Sequence, residues 1–321
     1  MRVVYFGTSE FAEEPLRRLL AGGHRVLALV TQPDRPKGRG RTLSAPAIKA
    51  IAERSGLEVD QPDDPNSEEF VKALRELGPD AIIVTAYAHK LGTSLLEVPK
   101  HGCINIHPSL LPLYRGAAPV NWAIINGERM TGVTIIRMNE RFDAGEILMQ
   151  ESVDIGDEET AGELSLRLSR LGSELLLSAL ERIEEGTIEA VSQDEKKASR
   201  APRISRSDCQ VNWSRSAVEI TNLVRGLNPK PGAFTIFRRK IVKLARARAL
   251  SRDVPGEPGE IVAFDEGIEV ATGKGVASLL ILQPEGGREV SWIDFKNGMK
   301  PQTGEKFERE DSGAFGREKP V

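Results

Sequence analysis

The sequence predicts a two-part α/β chain: an amino-terminal doubly wound sheet with helices on its faces, then a small β-barrel. Three observations carry this. The first half alternates short apolar runs with helix-period segments, in the manner of a parallel sheet. After Ser207 the texture changes to short strand-like runs at close spacing, bounded by Gly and Pro, which indicate a barrel. And 321 residues are long for one hydrophobic core. The expected division is 1–189 for the first domain, 190–206 for a basic linker, 207–310 for the second domain and 311–321 for a flexible tail.

Taken in order, Arg2–Phe6 reads as a strand, Glu13–Ala21 as a helix stopped by Gly22-Gly23, and Arg25–Thr31 as a second strand. Ser44 as cap with Pro46 near the first turn opens a helix through Arg54. A short strand near Leu57–Gln61, a helix over Glu68–Leu77 and the apolar strand Asp80–Ala86 follow. The segment Thr160–Glu185 places Leu164, Leu168, Leu171, Leu175 and Leu176 on one stripe of a helix that Gly186 ends. Beyond the linker, Ser214–Arg225 reads as a helix. Ala233–Phe237, Ile241–Ala249, Gly259–Phe264, Ile268–Ala271 and Val276–Gln283 read as strands. The parity of Lys243 against Arg246 and Arg248 keeps these cations from sharing one face of a regular strand. The charged, glycine-containing tail from Gln302 is expected to fray.

Charge is unevenly placed. From Lys196 to Arg252 there are 15 Lys or Arg against Asp208 and Glu219, a local balance of +13 in a chain of net charge −3. Such asymmetry marks a footprint for a polyanion, although a basic face without a partner has the same composition. The loop Gln32–Arg41 carries Arg35, Lys37, Arg39 and Arg41 among Pro and Gly, so it is expected to be solvated and mobile. Two cysteines, Cys103 and Cys209, supply neither a disulfide framework nor a metal cluster and point to a reducing compartment. The start lacks the regions of a signal peptide and no apolar run approaches a membrane span, so a cytoplasmic protein without a membrane partner, acting as a monomer, is expected. The turn after the first strand reads Gly7-Thr-Ser-Glu-Phe-Ala12, with one glycine and an acid where a pyrophosphate would lie, and is no nicotinamide site.

The chemistry concentrates in Cys103–Gly116. Residues i and i+2 of a strand share a face, so Asn105 and His107 point together while Ile104 and Ile106 point away. Pro108 cannot donate to a ladder and biases the residue before it away from helix, so the strand is expected to stop at His107. Asn supplies a neutral donor, His a cationic donor or proton carrier, and a nearby Asp143 can hold an imidazolium. Together they suit a reaction in which negative charge builds on a carbonyl oxygen while a proton leaves an attacking amine. Asp143 follows an alternating segment, Gly132–Met138, read as the neighbouring strand. The plainer reading is that Asn105 and His107 cap a strand.

The run Asn-Ile-His-Pro-Ser-Leu-Leu-Pro-Leu-Tyr-Arg-Gly from Asn105 resembles the signature of the 10-formyltetrahydrofolate-dependent formyltransferases. The resemblance extends to Phe6–Ala12, Thr31–Pro36, Ala117–Ile124, Gly127–Thr134 and Asp143-Ala-Gly145, and continues past residue 200. It is strongest to the branch whose acceptor is methionine esterified to initiator tRNA. The resemblance implies a Rossmann-like catalytic domain and an OB-like barrel that binds tRNA. It implies 10-formyltetrahydrofolate as co-substrate without a metal, and Asn105, His107 and Asp143 as the catalytic residues. Ser109, Leu110, Leu111 and Pro112 are expected against the tetrahydrofolate, and the Arg35–Arg41 loop against the acceptor arm, with Arg39 matching the family's Gly-Arg-Gly. Lys196, Lys197, Arg200, Arg203 and Arg206 of the linker are candidate tRNA contacts. Two departures stand out along the expected folate wall: Ala88 replaces a usual glycine, which restricts the backbone, and the following loop lacks a usual proline, which loosens it. Pro108 is more typical of the glycinamide ribonucleotide branch. A formyltransferase of a small amine such as an amino sugar nucleotide would share the catalytic residues, a formyltetrahydrofolate hydrolase would use water in place of the amine, and a non-catalytic RNA-binding protein would explain the cations alone.

Overall fold

The computed structural model describes residues 1–37, 42–252 and 254–309. They form two compact units, one of Met1–Pro119, Met130–Asp154 and Ser165–Pro202, the other of Val120–Arg129, Ile155–Leu164 and the chain from Arg203 onward.

In the first unit, β1 (Arg2–Gly7), β2 (Arg25–Val30), β5 (Glu58–Asp60), β6 (Ala81–Thr85) and β7 (Cys103–His107) run parallel, in the order β5-β2-β1-β6-β7. Continuous Val, Ile and Leu runs suit strands buried on both faces. Helices α1 (Glu13–Ala21), α2 (Ala47–Arg54) and α3 (Glu68–Leu77) connect them, and a single turn, α4 (Thr93–Leu96), precedes β7. Punctuation sets α3: Ser67 accepts from the Phe70 amide at its start and Gly78 closes it at φ +56°. One face of the sheet packs Val4, Phe6, Ile82, Val84 and Cys103 against Val71 and Leu74 of α3 and Leu95 of α4. Against the other lies α6 (Ala161–Glu185), where a Cβ on Gly172 would stand 2.7 Å from Ile106 Cγ2.

Several expectations need correction here. Helix α2 starts at Pro46 without a side-chain cap; Ser44 instead belongs to β4 (Thr42–Ser44), which pairs antiparallel with β3 (Arg35–Lys37), so the ends of the cationic loop form a two-stranded ribbon. Beyond β7 the sheet turns antiparallel through β8 (Met130–Arg137) and β9 (Glu146–Asp154), the latter missed in the sequence because charged and polar residues interrupt its apolar ones and most of it is exposed or only partly buried. Residues expected in a linker are tied to this unit: Val191 and Ile147 exchange backbone bonds of 2.8 Å, and Ala201 donates to the Arg115 carbonyl at 2.7 Å.

The second unit gathers α5 (Pro119–Ile125), which enters it from Val120, and α7 (Ala217–Gly226) with an antiparallel sheet. A capping box starts α7: Ser216 Oγ accepts from the Glu219 amide while the Glu219 carboxylate accepts from the Ser216 amide. The sheet order is β12-β13-β14-β11-β10-β16, from β10 (Ala233–Phe237), β11 (Lys240–Leu250), β12 (Ile261–Ala263), β13 (Ile268–Ala271), β14 (Val276–Pro284) and β16 (Phe307–Glu308); β15 (Val290–Ser291) adds to β14 and leads into α8 (Trp292–Met299). The sheet curls until its edges meet, with Ile261 donating to the Glu305 carbonyl and Phe307 to that of Gly259, both at 2.8 Å. The segment from Gln302 to Arg309 is therefore structured rather than frayed, because Phe307, 1% exposed, fills the barrel beside Phe237 and Trp213. Register shifts around Arg246 make β11 irregular, and Lys243, Arg246 and Arg248 all emerge to solvent. Residues 310–321 lie outside the described residues. No helix among the described residues is long and apolar enough to cross a membrane.

Candidate active site

Cys103, Asn105 and His107 share one face of β7, and the strand ends at His107 where Pro108 follows. Asn105 is 9% exposed, and among the described residues its side-chain amide has no hydrogen-bond partner. A buried amide left open in this way is a donor available to a ligand.

His107 is the contrasting case. Its Nε2 stands 3.1 Å from the Tyr114 carbonyl and its Nδ1 3.5 Å from Asp143 Oδ1. Both partners can only accept, so the ring meets them as a hydrogen-bond donor. Asp143 lies in the turn between β8 and β9, so the sheet's antiparallel end, not proximity in the chain, brings it to the imidazole. Its other oxygen, Oδ2, accepts from the Gly116 amide at 2.8 Å. Asp143 and Tyr114 both hold left-handed backbone, at φ +52° and +60°, a conformation costly for residues with a side chain and concentrated at functional sites. Gly116, at φ +129°, could carry no Cβ, which would meet the Ala201 carbonyl oxygen at 2.5 Å.

The loop after His107 is pinned from beneath. Thr134 Oγ1 donates to the Ser109 carbonyl at 2.6 Å and accepts from the Leu111 amide at 3.1 Å and from Gln150 Nε2 at 2.8 Å. Ser109 Oγ donates to the Leu113 carbonyl at 2.6 Å. Ser109 and Leu111 are buried, whereas Leu110 and Pro112 are only partly buried. The left-handed residue of the preceding loop is Ala86, at φ +49°, and Ala88 adopts no such conformation, so no strain attaches to the replacement of glycine there.

No role was expected for Thr134, which lies in a resembling segment, or for Gln150 and Gln193, ordinary polar residues outside every motif. Gln193 Nε2 donates to the carbonyls of Asp143 and Gly145. Nearby, Glu195 accepts a two-pronged contact from Arg115 at 3.0 and 3.1 Å and another from Arg141 at 2.7 Å. The hydrogen bonds from these guanidiniums hold its carboxyl down at about 2. Cys103 is inert by comparison, its thiol pushed up to about 12 by burial.

Of the candidate nucleic-acid contacts, Arg39 and Arg41 lie outside the described residues, and Arg35 and Lys37 are placed by backbone alone as β3. Lys196, Lys197 and Arg200 are exposed in the first unit, with Lys197 Nζ 3.8 Å from Asp194. In the second unit Arg203 is exposed and the Arg206 guanidinium sits over the Phe234 ring at 5.1 Å. The linear excess of cations is partly met by carboxylates distant in sequence: Arg238 pairs with Glu305, Arg246 with Glu163, and Arg248 with Glu158.

Residues 1–180 match the family described as "Formyl transferase", and residues 203–300 match "Formyl transferase, C-terminal domain". The chain is 42% identical to the methionyl-tRNA formyltransferase of Desulfotalea psychrophila, over 94% of this chain and 93% of that one, and 44% identical to that of Citrifermentans bemidjiense, over 97% and 98%. Among solved structures, the N-formyltransferase of Helicobacter canadensis, in complex with folinic acid and dTDP-3-aminofucose, has a TM-score of 0.67 at 18% identity over 90% of this chain and 99% of that one. HypX of Aquifex aeolicus in complex with tetrahydrofolic acid has a TM-score of 0.65 at 19% identity over 95% of this chain; the chain spans about half of that protein, 48%. These two likenesses are of fold. Matched by both family descriptions and by full-length relatives, the chain belongs to the formyl transferase family.

Proposed function

We propose that the chain transfers the formyl group of 10-formyltetrahydrofolate to the α-amine of methionine esterified to initiator tRNA, the reaction that prepares this tRNA for translation initiation. The observation that carries the reading is likeness, over nearly the whole chain, to proteins named methionyl-tRNA formyltransferase. The site chemistry agrees with it. The amine attacks the formyl carbon, and the carbonyl oxygen becomes an oxyanion that accepts from the open Asn105 amide. His107, set between the Tyr114 carbonyl and Asp143, lends positive charge beside it. The proton lost by the amine passes through a water to the Asp143 carboxylate. The same proton returns through the water to N10 of tetrahydrofolate as its bond to the formyl carbon breaks, which restores the Asp143 carboxylate and balances bonds and protons with no covalent enzyme intermediate.

Leu110 and Pro112 offer apolar surface to the folate, while Ser109 and Leu111, being buried, act by shaping the loop. The cationic loop with Arg35, Lys37, Arg39 and Arg41, and the exposed Lys196, Lys197, Arg200 and Arg203, are suited to phosphates of the tRNA; Arg206 would add a charge already stacked on Phe234. Two buried, unpaired cysteines fit a reducing, cytoplasmic setting.

The test is the purified protein with 10-formyltetrahydrofolate and either methionyl-tRNA, free methionine or an amino sugar nucleotide. Formylation of the tRNA ester alone is expected. Equal or preferred formylation of either small amine would replace this reading with the small-amine one.

A further inference from the structure

Gln193 uses its whole hydrogen-bonding capacity at the site. Nε2 donates to the carbonyls of Asp143 at 2.8 Å and Gly145 at 2.7 Å, and Oε1 accepts from Arg115 Nε at 3.1 Å and Nη2 at 2.8 Å. Two donors and two acceptor sites are what a carboxamide has, so no part of it is idle. Arg115 adjoins Gly116, whose amide donates to Asp143 Oδ2 at 2.8 Å. The contacts thus close a ring: Asp143 carboxylate, Gly116 amide, Arg115 guanidinium, Gln193 carboxamide, Asp143 carbonyl.

We propose that Gln193 is a positioning residue that sets the Asp143 carboxylate against His107, an inference that rests on the proposed role of Asp143. The physical need is specific. Asp143 sits at φ +52°, in the left-handed region that few residues with a side chain adopt, so its neighbours must hold the turn for the carboxylate to keep one direction. Holding the carbonyls of residues 143 and 145 fixes the turn, and Oδ1 then stands 3.5 Å from His107 Nδ1. A Glu at 193 would keep the acceptor for Arg115 but would turn a carboxylate oxygen, without a proton, toward two carbonyl oxygens. The ring would open on the Asp143 side alone.

The experiment is a double-mutant cycle on formyl transfer in the full chain, comparing Gln193→Ala, Gln193→Glu, Asp143→Asn and the pair Gln193→Ala with Asp143→Asn. Gln193→Ala should lower kcat at least tenfold with KM for both substrates within twofold, and Gln193→Glu should fall at least as far. In the Asp143→Asn background the same truncation should cost less than twofold, because the carboxylate it serves is already gone; a merely structural role would cost the same factor in both. Equal losses in the two backgrounds, or an unchanged kcat in Gln193→Ala, overturn the inference. Should Gln193→Ala fail to fold, the near-isosteric Gln193→Met takes its place in the cycle with the same two outcomes. Full turnover in Asp143→Asn would sink the proposed role of Asp143 itself, whereas a slow Asp143→Asn beside a normal Gln193→Ala sinks only the role of Gln193.

Discussion

Truncating Asn105 to Ala should separate catalysis from stability more cleanly than any other change in the site. The side chain is 9% exposed and its amide has no protein partner among the described residues, so its removal orphans nothing. Its loss should change unfolding free energy by no more than about 1 kcal/mol. The same truncation removes the donor proposed for the developing oxyanion, which should cost roughly 100- to 1,000-fold in kcat, or about 2.7–4 kcal/mol. His107→Ala is the control: it removes the imidazole's contacts with the Tyr114 carbonyl and the Asp143 carboxylate, at a cost of about 1–3 kcal/mol, and so should lower stability as well as rate. Single-turnover formylation of methionyl-tRNA and urea unfolding on the same preparations give both quantities. Transfer by Asn105→Ala within tenfold of the parent, or destabilisation equal to that of His107→Ala, would refute the reasoning.

Other consequences follow from named contacts. Glu195 is held at about 2, below its unfolded value of about 4.3, so its contribution to stability is present above about pH 4.3 and is lost as pH falls toward 2. Acid unfolding of Glu195→Gln should therefore be shallower across that window, an effect that shrinks in salt because the carboxylate is exposed; identical curves would contradict it. Phe307→Ala should cost about 3–5 kcal/mol in unfolding, since it empties the barrel where Phe307 packs beside Phe237; a loss below about 1 kcal/mol would mean that the last strand does not close the barrel. Arg39→Glu should raise KM for methionyl-tRNA, more so as salt falls, and leave KM for formyltetrahydrofolate unchanged. If both constants rise together, the loop serves the folate instead.

What the sequence disclosed and what it hid divide along physical lines. The end of strand β7 was legible because Pro108 follows it, and α3 from its period over Glu68–Leu77; the structure adds that Ser67 and Gly78 bracket that helix. Alternation showed that β8 exists but not its direction, since parallel and antiparallel strands share the same period. The irregular register of β11 was invisible for the same reason: parity arguments assume a regular strand. Phe307 was lost among Glu, Lys and Arg, although one aromatic side chain sufficed to draw the tail into the core. At the site, Asn105 and His107 were readable together as i and i+2. Asp143, 38 residues after Asn105, was offered by the neighbouring strand before it and by resemblance, and the structure brings its carboxylate to the imidazole. Thr134, Gln150 and Gln193 act through backbone carbonyls and amides of other segments, contacts that leave no trace in residue type or spacing.

The most direct measurement is the single-turnover rate of formyl transfer to methionyl-tRNA by Asp143→Asn, with binding of both substrates measured on the same sample. The carboxamide can still accept from the Gly116 amide, so the fold should survive and both substrates should bind. The rate should fall by roughly 100-fold or more, as expected when a positioned proton acceptor is lost. A rate equal to that of the parent would contradict the assignment of the amine's proton to this carboxylate, and with it the reading of the site.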